Sequence, residues 1–243
     1  MTTVKELIQA ANAGDANAQY NIGLLHALGR GTPRNPTTAA HWFSLAAENG
    51  HADAQCNLGF YLATGEGVAQ DTEAAARYFM QAAAQGHGQA NANLGRFYAA
   101  GIGLDADMMK AAECYARAAD AGVPDAAYNL GLIYYNGAIN GGPNHEEAAK
   151  CFRQAAEAGL PEAQYALGLC HSNGEGVDFD DDQAVVWYQK AAAQNHPAAT
   201  YNLGVYTQAG LGGLDENETA AQELFSRAAS LGHEMAATAA VAS

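Results

Sequence analysis

The sequence has no long apolar run and few basic residues, and each lack excludes a class of protein. No run approaches the roughly 20 apolar residues that a membrane-spanning helix needs. Eleven lysines and arginines stand against 26 aspartates and glutamates, which gives a formal net charge of -15. Such a surface repels phosphate backbones and anionic lipids at long range. We therefore expect no nucleic acid and no membrane among the partners, and a cytoplasmic location.

Cysteine and catalytic motifs are also scarce. The four cysteines, Cys56, Cys114, Cys151 and Cys170, are scattered along the 243 residues, so they do not form the disulfide framework of a small secreted fold. There is no Ser-x-x-Lys, no Gly-x-Ser-x-Gly and no His-Glu-x-x-His pattern. We expect reduced thiols, no catalytic site, no cofactor and no bound metal.

What the sequence does contain is a repeat of about 36 residues. An apolar residue followed by glycine recurs, with glycine spacings of 36, 36, 36, 37 and 36 residues. The repeat glycines are Gly23, Gly59, Gly95, Gly131, Gly168 and Gly204. A second glycine follows six positions later in every repeat, where it would end a helix, and an Asn or Asp then begins the next helix. Each repeat is therefore predicted to be a helical hairpin.

The second helix of each hairpin carries a bulky pair, such as Trp42-Phe43, and an Ala-Ala pair follows within a turn. Hairpins of this kind bury their apolar faces only by stacking on neighbours. The sequence thus predicts an all-α solenoid with six repeats over residues 15–233. Helical caps are expected over 1–14, where Thr3 and Glu6 form a capping-box pattern, and over 234–243. We expect a single domain spanning 1–243.

The segment from Ala54 to Asp71, AQCNLGFYLATGEGVAQD, resembles the Sel-one-like repeat family, a tetratricopeptide-like group, and the same pattern covers residues 16–233. The resemblance implies right-handed stacking of antiparallel helix pairs. It also implies a role as an adaptor or scaffold for protein complexes, often in bacterial signalling or secretion. One branch, the cysteine-rich secreted proteins once called β-lactamases, bridges two cysteines within each repeat. No repeat here contains two cysteines, so that branch does not match.

Three hypotheses for the function follow. The first is a non-enzymatic, monomeric scaffold that binds a peptide or another protein in its concave groove. The second is a β-lactamase-like hydrolase, suggested by the cysteine-rich branch alone and disfavoured by the missing serine motif. The third is a structural module that acts mainly by self-association.

One acidic segment raises the question of a cation site. Asp178–Asp182 and the nearby Glu175 offer carboxylates at alternate positions, as a Ca²⁺ loop does. Gln183 and Gln189 stand where such a loop needs glycine and a bidentate glutamate. Helix capping by Asp180 explains the segment better, and a weak cation site stays open as the alternative.

Helical spacing predicts which residues would face a partner. Residues four and seven apart share a helix face, so the positions around the repeat glycine form one stripe on each first helix. By resemblance to tetratricopeptide proteins, this stripe faces the concave groove. The predicted partner-binding residues are Tyr128, Leu132, Tyr135, Tyr165, Leu169, Tyr201, Asn93, Arg96, Asn129 and Asn202.

An asparagine recurs beside this stripe in every repeat except the fifth, where Ala166 replaces it. These amides are suited either to binding an extended peptide backbone or to packing between hairpins, and the sequence leaves both roles open. The lysines that clamp a terminal carboxylate in some tetratricopeptide proteins are missing, and Arg96 is the one cation on the stripe. The predicted ligand is therefore an internal segment, apolar or aromatic, with some basic residues.

Overall fold

The structure is a computed structural model that describes residues 4–139 and 141–239. That part of the chain contains 14 α-helices and no β-strand, which confirms the all-α prediction. The helices are α1 (Val4–Asn12), α2 (Ala16–Leu28), α3 (Pro36–Glu48), α4 (Ala52–Thr64), α5 (Thr72–Ala84), α6 (Gly88–Ala100), α7 (Met108–Asp120), α8 (Pro124–Tyr135), α9 (His145–Glu157), α10 (Pro161–Asn173), α11 (Asp181–Ala193), α12 (Pro197–Ala209), α13 (Glu218–Ser230) and α14 (Glu234–Ala239). The even-numbered helices from α2 to α12 are the first helices of the six repeats. The odd-numbered helices from α3 to α13 are the second helices.

The second helices begin where the sequence predicts. In every repeat the predicted Asn or Asp accepts a hydrogen bond from a backbone amide in the first turn. Asp71, for example, accepts from the amide of Ala74 at 2.8 Å. The first helix of the same repeat ends at Gly65, whose φ of 75° lies in the left-handed region that a side chain would disfavour. Local sequence thus fixes both ends of the turn within a hairpin.

Histidines begin three of the six first helices and the terminal helix α14, a role that the sequence analysis did not assign. The Nδ1 atoms of His51, His87, His196 and His233 each accept a hydrogen bond from the backbone amide three residues later, at 3.1–3.3 Å. Asp15 caps α2 in repeat one, whereas Leu160 precedes α10 in repeat five and makes no side-chain cap.

The repeat glycines allow the two helices of each hairpin to approach closely. A Cβ atom added at Gly131 would lie 2.6 Å from a ring carbon of Phe152, and one added at Gly168 would lie 2.6 Å from the ring of Tyr188. Each of the other four repeat glycines likewise faces an aromatic ring in the second helix of its own hairpin. Close approach of helix and ring, rather than a turn, therefore explains glycine at this position.

Buried glutamines join successive hairpins. The side-chain amide of Gln55 donates to the carbonyl of Ala47 in the preceding second helix at 3.2 Å, and its oxygen accepts from Gln85 at 2.8 Å. Gln164 makes the equivalent pair of bonds with Ala156 and Gln194. Because a buried amide without partners costs about 1–3 kcal/mol, these bonds favour one register between neighbouring hairpins.

The chain divides into two compact units, Met1–Val123 and Pro124–Ser243. In the first unit the terminal helix α1 packs on α2 through a cluster that contains Ala11 and Ile22. In the second unit the terminal helix α14 packs on α13. Terminal helices are thus present as predicted, but Thr3 of the capping box and residues 240–243 lie outside the described residues. The single-domain organisation stays a prediction.

Candidate functional site

The second unit contains a small apolar cavity lined largely by predicted partner-binding residues. Its volume is about 160 Å³. Five of the predicted residues line it, together with two others that the sequence analysis did not select. The lining residues are Tyr128, Leu132 and Tyr135 of α8, Phe152 of α9, and Tyr165, Ala166 and Leu169 of α10. The stripe predicted from helical spacing therefore forms one surface across α8 and α10.

The walls of the cavity follow from the hairpin geometry. Phe152 is 2% exposed and is held against Gly131, so its ring forms the base of the cavity between α8 and α10. The Tyr128 and Tyr135 rings lie 5.7 and 6.3 Å from the Phe152 ring, centroid to centroid. Each of these tyrosines is only half-buried. The site thus combines a buried aromatic base with partly exposed tyrosine edges, which is typical of surfaces that bind proteins.

Carboxylates lie beside these tyrosines. The Tyr135 hydroxyl donates to Glu175 at 2.7 Å, and this hydrogen bond raises the pKa of Tyr135 to about 12. Burial, and then the charge of Glu162, raise the pKa of Tyr128. Both hydroxyls are therefore protonated at neutral pH, and the charge near the cavity is negative. Such a site favours a cationic ligand over an anionic one.

Tyr165, the third tyrosine of the cavity, is fixed from the opposite side. Its ring stacks on His196 with centroids 4.7 Å apart. Asn202 lowers the pKa of Tyr165 and of Tyr188, in each case against the larger effect of burial. The cavity edge formed by Tyr165 is thus held in place by the following repeat.

The remaining predicted residues do not line the cavity. Tyr201 stacks on His233 with centroids 4.5 Å apart. The Asn129 amide donates to the carbonyl of Asp125, one turn earlier in α8, at 2.7 Å. Such contacts within the protein support the packing role that the sequence analysis kept open for the asparagines.

The first unit holds the other two predicted residues, Asn93 and Arg96, on α6. Asn93 slightly offsets the burial that raises the pKa of Cys56, and Arg96 is exposed. The charge of Arg96 acts on Tyr115, where it partly offsets the burial that raises the pKa of that tyrosine. Neither residue belongs to the cavity of the second unit.

A wider groove of about 620 Å³ lies on the second helices α3 and α5 of the first unit. Its lining is polar in large part and includes His41, Ser44, Arg77 and Gln81. No row of aromatic side chains follows it. We therefore take the smaller aromatic cavity, and not this groove, as the candidate site.

The acidic segment is engaged in hydrogen bonds of its own. Asp180 caps α11 by accepting from the amide of Gln183 at 2.9 Å, and Asp181 accepts from the Tyr206 hydroxyl at 2.7 Å. In the described part of the chain, no group of three His, Cys, Asp or Glu side chains is arranged to hold a metal ion. Helix capping accounts for the position of these carboxylates.

The sequence analysis missed Phe152 and Ala166 as parts of the site. Phe152 belongs to the bulky pair Cys151-Phe152 of a second helix, and its exposure to the cavity depends on the spacing of the two neighbouring first helices. Ala166 did give a signal, because it interrupts the row of asparagines. The sequence showed the interruption but not the space that it leaves.

Six consecutive segments match the pattern of the Sel1 repeat family, over residues 16–51, 52–87, 88–123, 124–160, 161–196 and 197–233. The chain belongs to the Sel1 repeat family. Repeats of this family generally serve as scaffolds for protein interactions, and their fold is typical of non-enzymatic repeat proteins. The predicted resemblance is therefore confirmed.

Solved structures confirm the fold class. A protective antigen of uropathogenic Escherichia coli with an SLR fold is 30% identical to this chain, with a TM-score of 0.92. That similarity covers 99% of this chain and 51% of the antigen, so the chain spans about half the length of that relative. A Sel1 repeat protein from Oxalobacter formigenes is 27% identical, with a TM-score of 0.76, over 94% of this chain and 97% of that one. The predicted all-α solenoid of six repeats is the class of these structures.

No curated protein sequence matches the chain significantly. Within the residues that the structure describes, no helix has both the length and the apolar character needed to cross a membrane.

Proposed function

We propose that the protein is a non-enzymatic scaffold that binds a segment of a partner protein along α8 and α10. The observation that supports this function is the aromatic cavity lined by Tyr128, Tyr135 and Tyr165. Tyrosines of this kind supply a large contact area at low conformational cost, and they are frequent among the residues that dominate binding. The bound segment is internal to its chain, apolar or aromatic, and carries some basic residues.

Charge supports the basic character of that segment. From Val123 onward the chain has 15 acidic and four basic residues, a net charge of -11. Glu162 and Glu175 place part of that charge beside the cavity. The proposed surface extends from the cavity to Asn129, Tyr201 and Asn202, while Asn93 and Arg96 belong to the corresponding row of the first unit. The protein acts as a cytoplasmic monomer, without a cofactor and without nucleic acid or membrane as partner.

The decisive experiment compares affinities of a folded double variant and the wild type. The partner is first captured from cells of the source organism and identified by mass spectrometry. Its affinity is then measured by calorimetry for the wild type and for Tyr128→Ala/Tyr165→Ala. We expect at least a tenfold loss, about 1.4 kcal/mol, with the helical circular dichroism signal intact.

A matched control removes a tyrosine from the same helix without touching the cavity. Tyr134 of α8 is half-buried and does not line the cavity, so Tyr134→Ala should retain the affinity of the wild type. Unchanged affinity in the folded double variant would place the binding site elsewhere on the protein.

The two other hypotheses have simple tests. All four cysteines are free, so the chain lacks the bridges of the cysteine-rich branch that suggested a hydrolase. Nitrocefin turnover above the buffer rate would contradict the non-enzymatic function. Light scattering after gel filtration should show a monomer, and a stable oligomer would favour the self-associating module.

A further inference from the structure

The row of asparagines follows the tyrosines of neighbouring first helices. Asn57 of α4 lowers the pKa of Tyr20 in α2, and Asn202 of α12 lowers that of Tyr165 in α10, in each case against the larger effect of burial. In both pairs the asparagine lies two residues before its repeat glycine, and its partner lies three residues before the glycine of the preceding repeat. The asparagine side chain thus occupies the space between two successive first helices.

Repeat five lacks this side chain. Ala166 stands at the asparagine position of α10, opposite Tyr128 of α8. Asn57 and Asn202 act on the pKa of Tyr20 and Tyr165, which hold the same position of their repeats, whereas among the described residues no side-chain amide acts on that of Tyr128. The space that an asparagine would fill is the cavity itself, because Tyr128 and Ala166 both line it.

A second substitution in repeat five removes another neighbour of Tyr128. Tyr20, Tyr165 and Tyr201 stack on the capping histidine of the following repeat, with centroids 4.5–4.7 Å apart. Leu160 replaces that histidine next to Tyr128 and offers neither a ring nor a hydrogen bond. In the described structure the aromatic contact of Tyr128 is with Phe152 alone. Both polar neighbours of the tyrosine are therefore replaced by aliphatic side chains.

We propose that this gap in the asparagine row is a pocket for a single aromatic side chain of the partner, flanked in the partner sequence by lysine or arginine. The volume supports the size of the guest, because the cavity of about 160 Å³ is close to the roughly 150 Å³ of an apolar cavity that takes up benzene. Leu132, Leu169 and Phe152 provide the apolar walls. The inference rests on the proposed function and specifies the ligand of that site.

The flanking cations follow from the carboxylates beside the cavity. Glu175 accepts the hydroxyl of Tyr135, and Glu162 acts electrostatically on Tyr128. Glu175 thus touches one tyrosine of the rim, and the charge of Glu162 acts on another. A basic residue on either side of the inserted ring would meet negative charge, whereas acidic neighbours would be repelled.

The binding test uses the full chain and three short peptides, each acetylated and amidated. Their sequences are Gly-Lys-Phe-Lys-Gly, Gly-Glu-Phe-Glu-Gly and Gly-Lys-Ala-Lys-Gly. Titrations are followed by NMR on the methyl groups of Leu132 and Leu169. We expect saturable shifts with the Lys-Phe-Lys peptide and at least tenfold weaker binding of the other two.

The sharpest variant restores the repeat pattern. Ala166→Asn should place an amide against the Tyr128 hydroxyl and fill the cavity, because asparagine already occupies this position in the neighbouring repeats. It should weaken the Lys-Phe-Lys peptide at least tenfold while the unfolding midpoint stays within about 4 °C of the wild type. Ala193→Asn, on the exposed end of α11, is the matched control and should leave binding unchanged.

A second variant tests the charges. Glu162→Gln/Glu175→Gln removes two negative charges, so it should weaken binding of the Lys-Phe-Lys peptide and reduce its advantage in affinity over the Glu-Phe-Glu peptide. A glutamine in place of Glu175 can still accept the Tyr135 hydroxyl, so the double variant tests the charge. If Ala166→Asn did not fold, Ala166→Leu would fill the cavity without a polar group. No saturable binding of the Lys-Phe-Lys peptide to the wild type, or equal binding to the filled variant, would overturn the inference.

The outcomes also separate this inference from the proposed function. Loss of partner affinity in Tyr128→Ala/Tyr165→Ala without peptide binding would leave the scaffold function standing and reject the pocket. Peptide binding without any effect of that double variant on the partner would reject the proposed partner site and keep the pocket.

Discussion

Tyr20 in the first unit and Tyr128 in the second occupy the same position of their repeats and have different surroundings. Tyr20 stacks on His51 at 4.5 Å between centroids, and Asn57 lowers its pKa against the larger effect of burial. Tyr128 has aliphatic residues in place of both neighbours and borders a cavity. The comparison shows that the repeat builds the same frame in both units, while two substitutions in one repeat create a candidate site.

The largest effects are expected where the two units are alike. Gly59 and Gly168 each contact an aromatic ring of the second helix, so added side-chain carbons must displace that ring. Gly59→Val and Gly168→Val should each destabilise the protein by about 3 kcal/mol or more, the upper range for overpacked cores. Urea unfolding followed by circular dichroism measures this, with Ala193→Val as an exposed control. A loss in only one of the two variants would contradict a shared frame.

The buried glutamines should rank next. Gln55→Ala and Gln164→Ala each remove two hydrogen bonds, one to a backbone carbonyl and one from a second glutamine side chain. Each variant should lower the free energy of unfolding by about 1–3 kcal/mol. The exposed Gln183 of α11 supplies the control, since Gln183→Ala should change stability little. Stabilities equal to that of the control would show that these bonds do not fix the register of the hairpins.

Restoring the missing cap sharpens the comparison between Tyr20 and Tyr128. Leu160→His should supply the Nδ1 acceptor found at the other capping histidines, and a new N-cap is worth about 1 kcal/mol. The added ring should also stack on Tyr128 and narrow the cavity. The expected result is a higher unfolding midpoint at pH 8 together with weaker binding of the Lys-Phe-Lys peptide. A lower midpoint would mean that the leucine packing outweighs the cap.

A smaller effect should appear in the pH dependence of stability. Burial lowers the pKa of His196, and so does the nearby His233, while Glu162 opposes them. The neutral His196 ring caps α12 and stacks on Tyr165. Below the ordinary histidine pKa of about 6.5, the unfolded chain therefore binds more protons at this residue than the folded protein does. The contribution is therefore present above that pH and is lost as the pH falls through the lower pKa of the folded state.

Replacing this ring by a non-titrating cap provides the measurement. Between pH 7 and pH 5, the stability of His196→Asn should fall less than that of the wild type, because asparagine does not titrate. Carboxylate titrations are common to both proteins and cancel in the comparison. Chemical unfolding at several pH values compares the two. Identical pH profiles would show that the capping histidine does not contribute.

The smallest effects concern the thiols, which should behave alike in both units. Burial raises the pKa of Cys56, Cys151 and Cys170 to about 11, and burial also raises that of Cys114. Alkylation by iodoacetamide should be slow in the folded protein and fast in urea, with the half-buried Cys151 reacting first among the four. Rapid labelling of all four in the native state would contradict their packing in the hairpins.

Much of the candidate site followed from helical spacing. Tyr128, Leu132, Tyr135, Tyr165 and Leu169 line one cavity because residues four and seven apart share a helix face. The roles of Gln55, Gln164 and the capping histidines were missed, since each depends on a partner in the backbone or in another helix. Whether the cavity binds a partner stays a prediction.

The six hairpins and their boundaries are readable from the sequence. Periodic glycines and capping residues act over a few neighbouring positions, so their effect is readable from spacing alone. The packing of the helices is needed to see that Asn57 and Asn202 act on tyrosines of the preceding first helices and that Ala166 borders a space beside Tyr128. The physical reason is that a cavity is defined by the distance between packed helices, and a side chain's own sequence does not contain that distance.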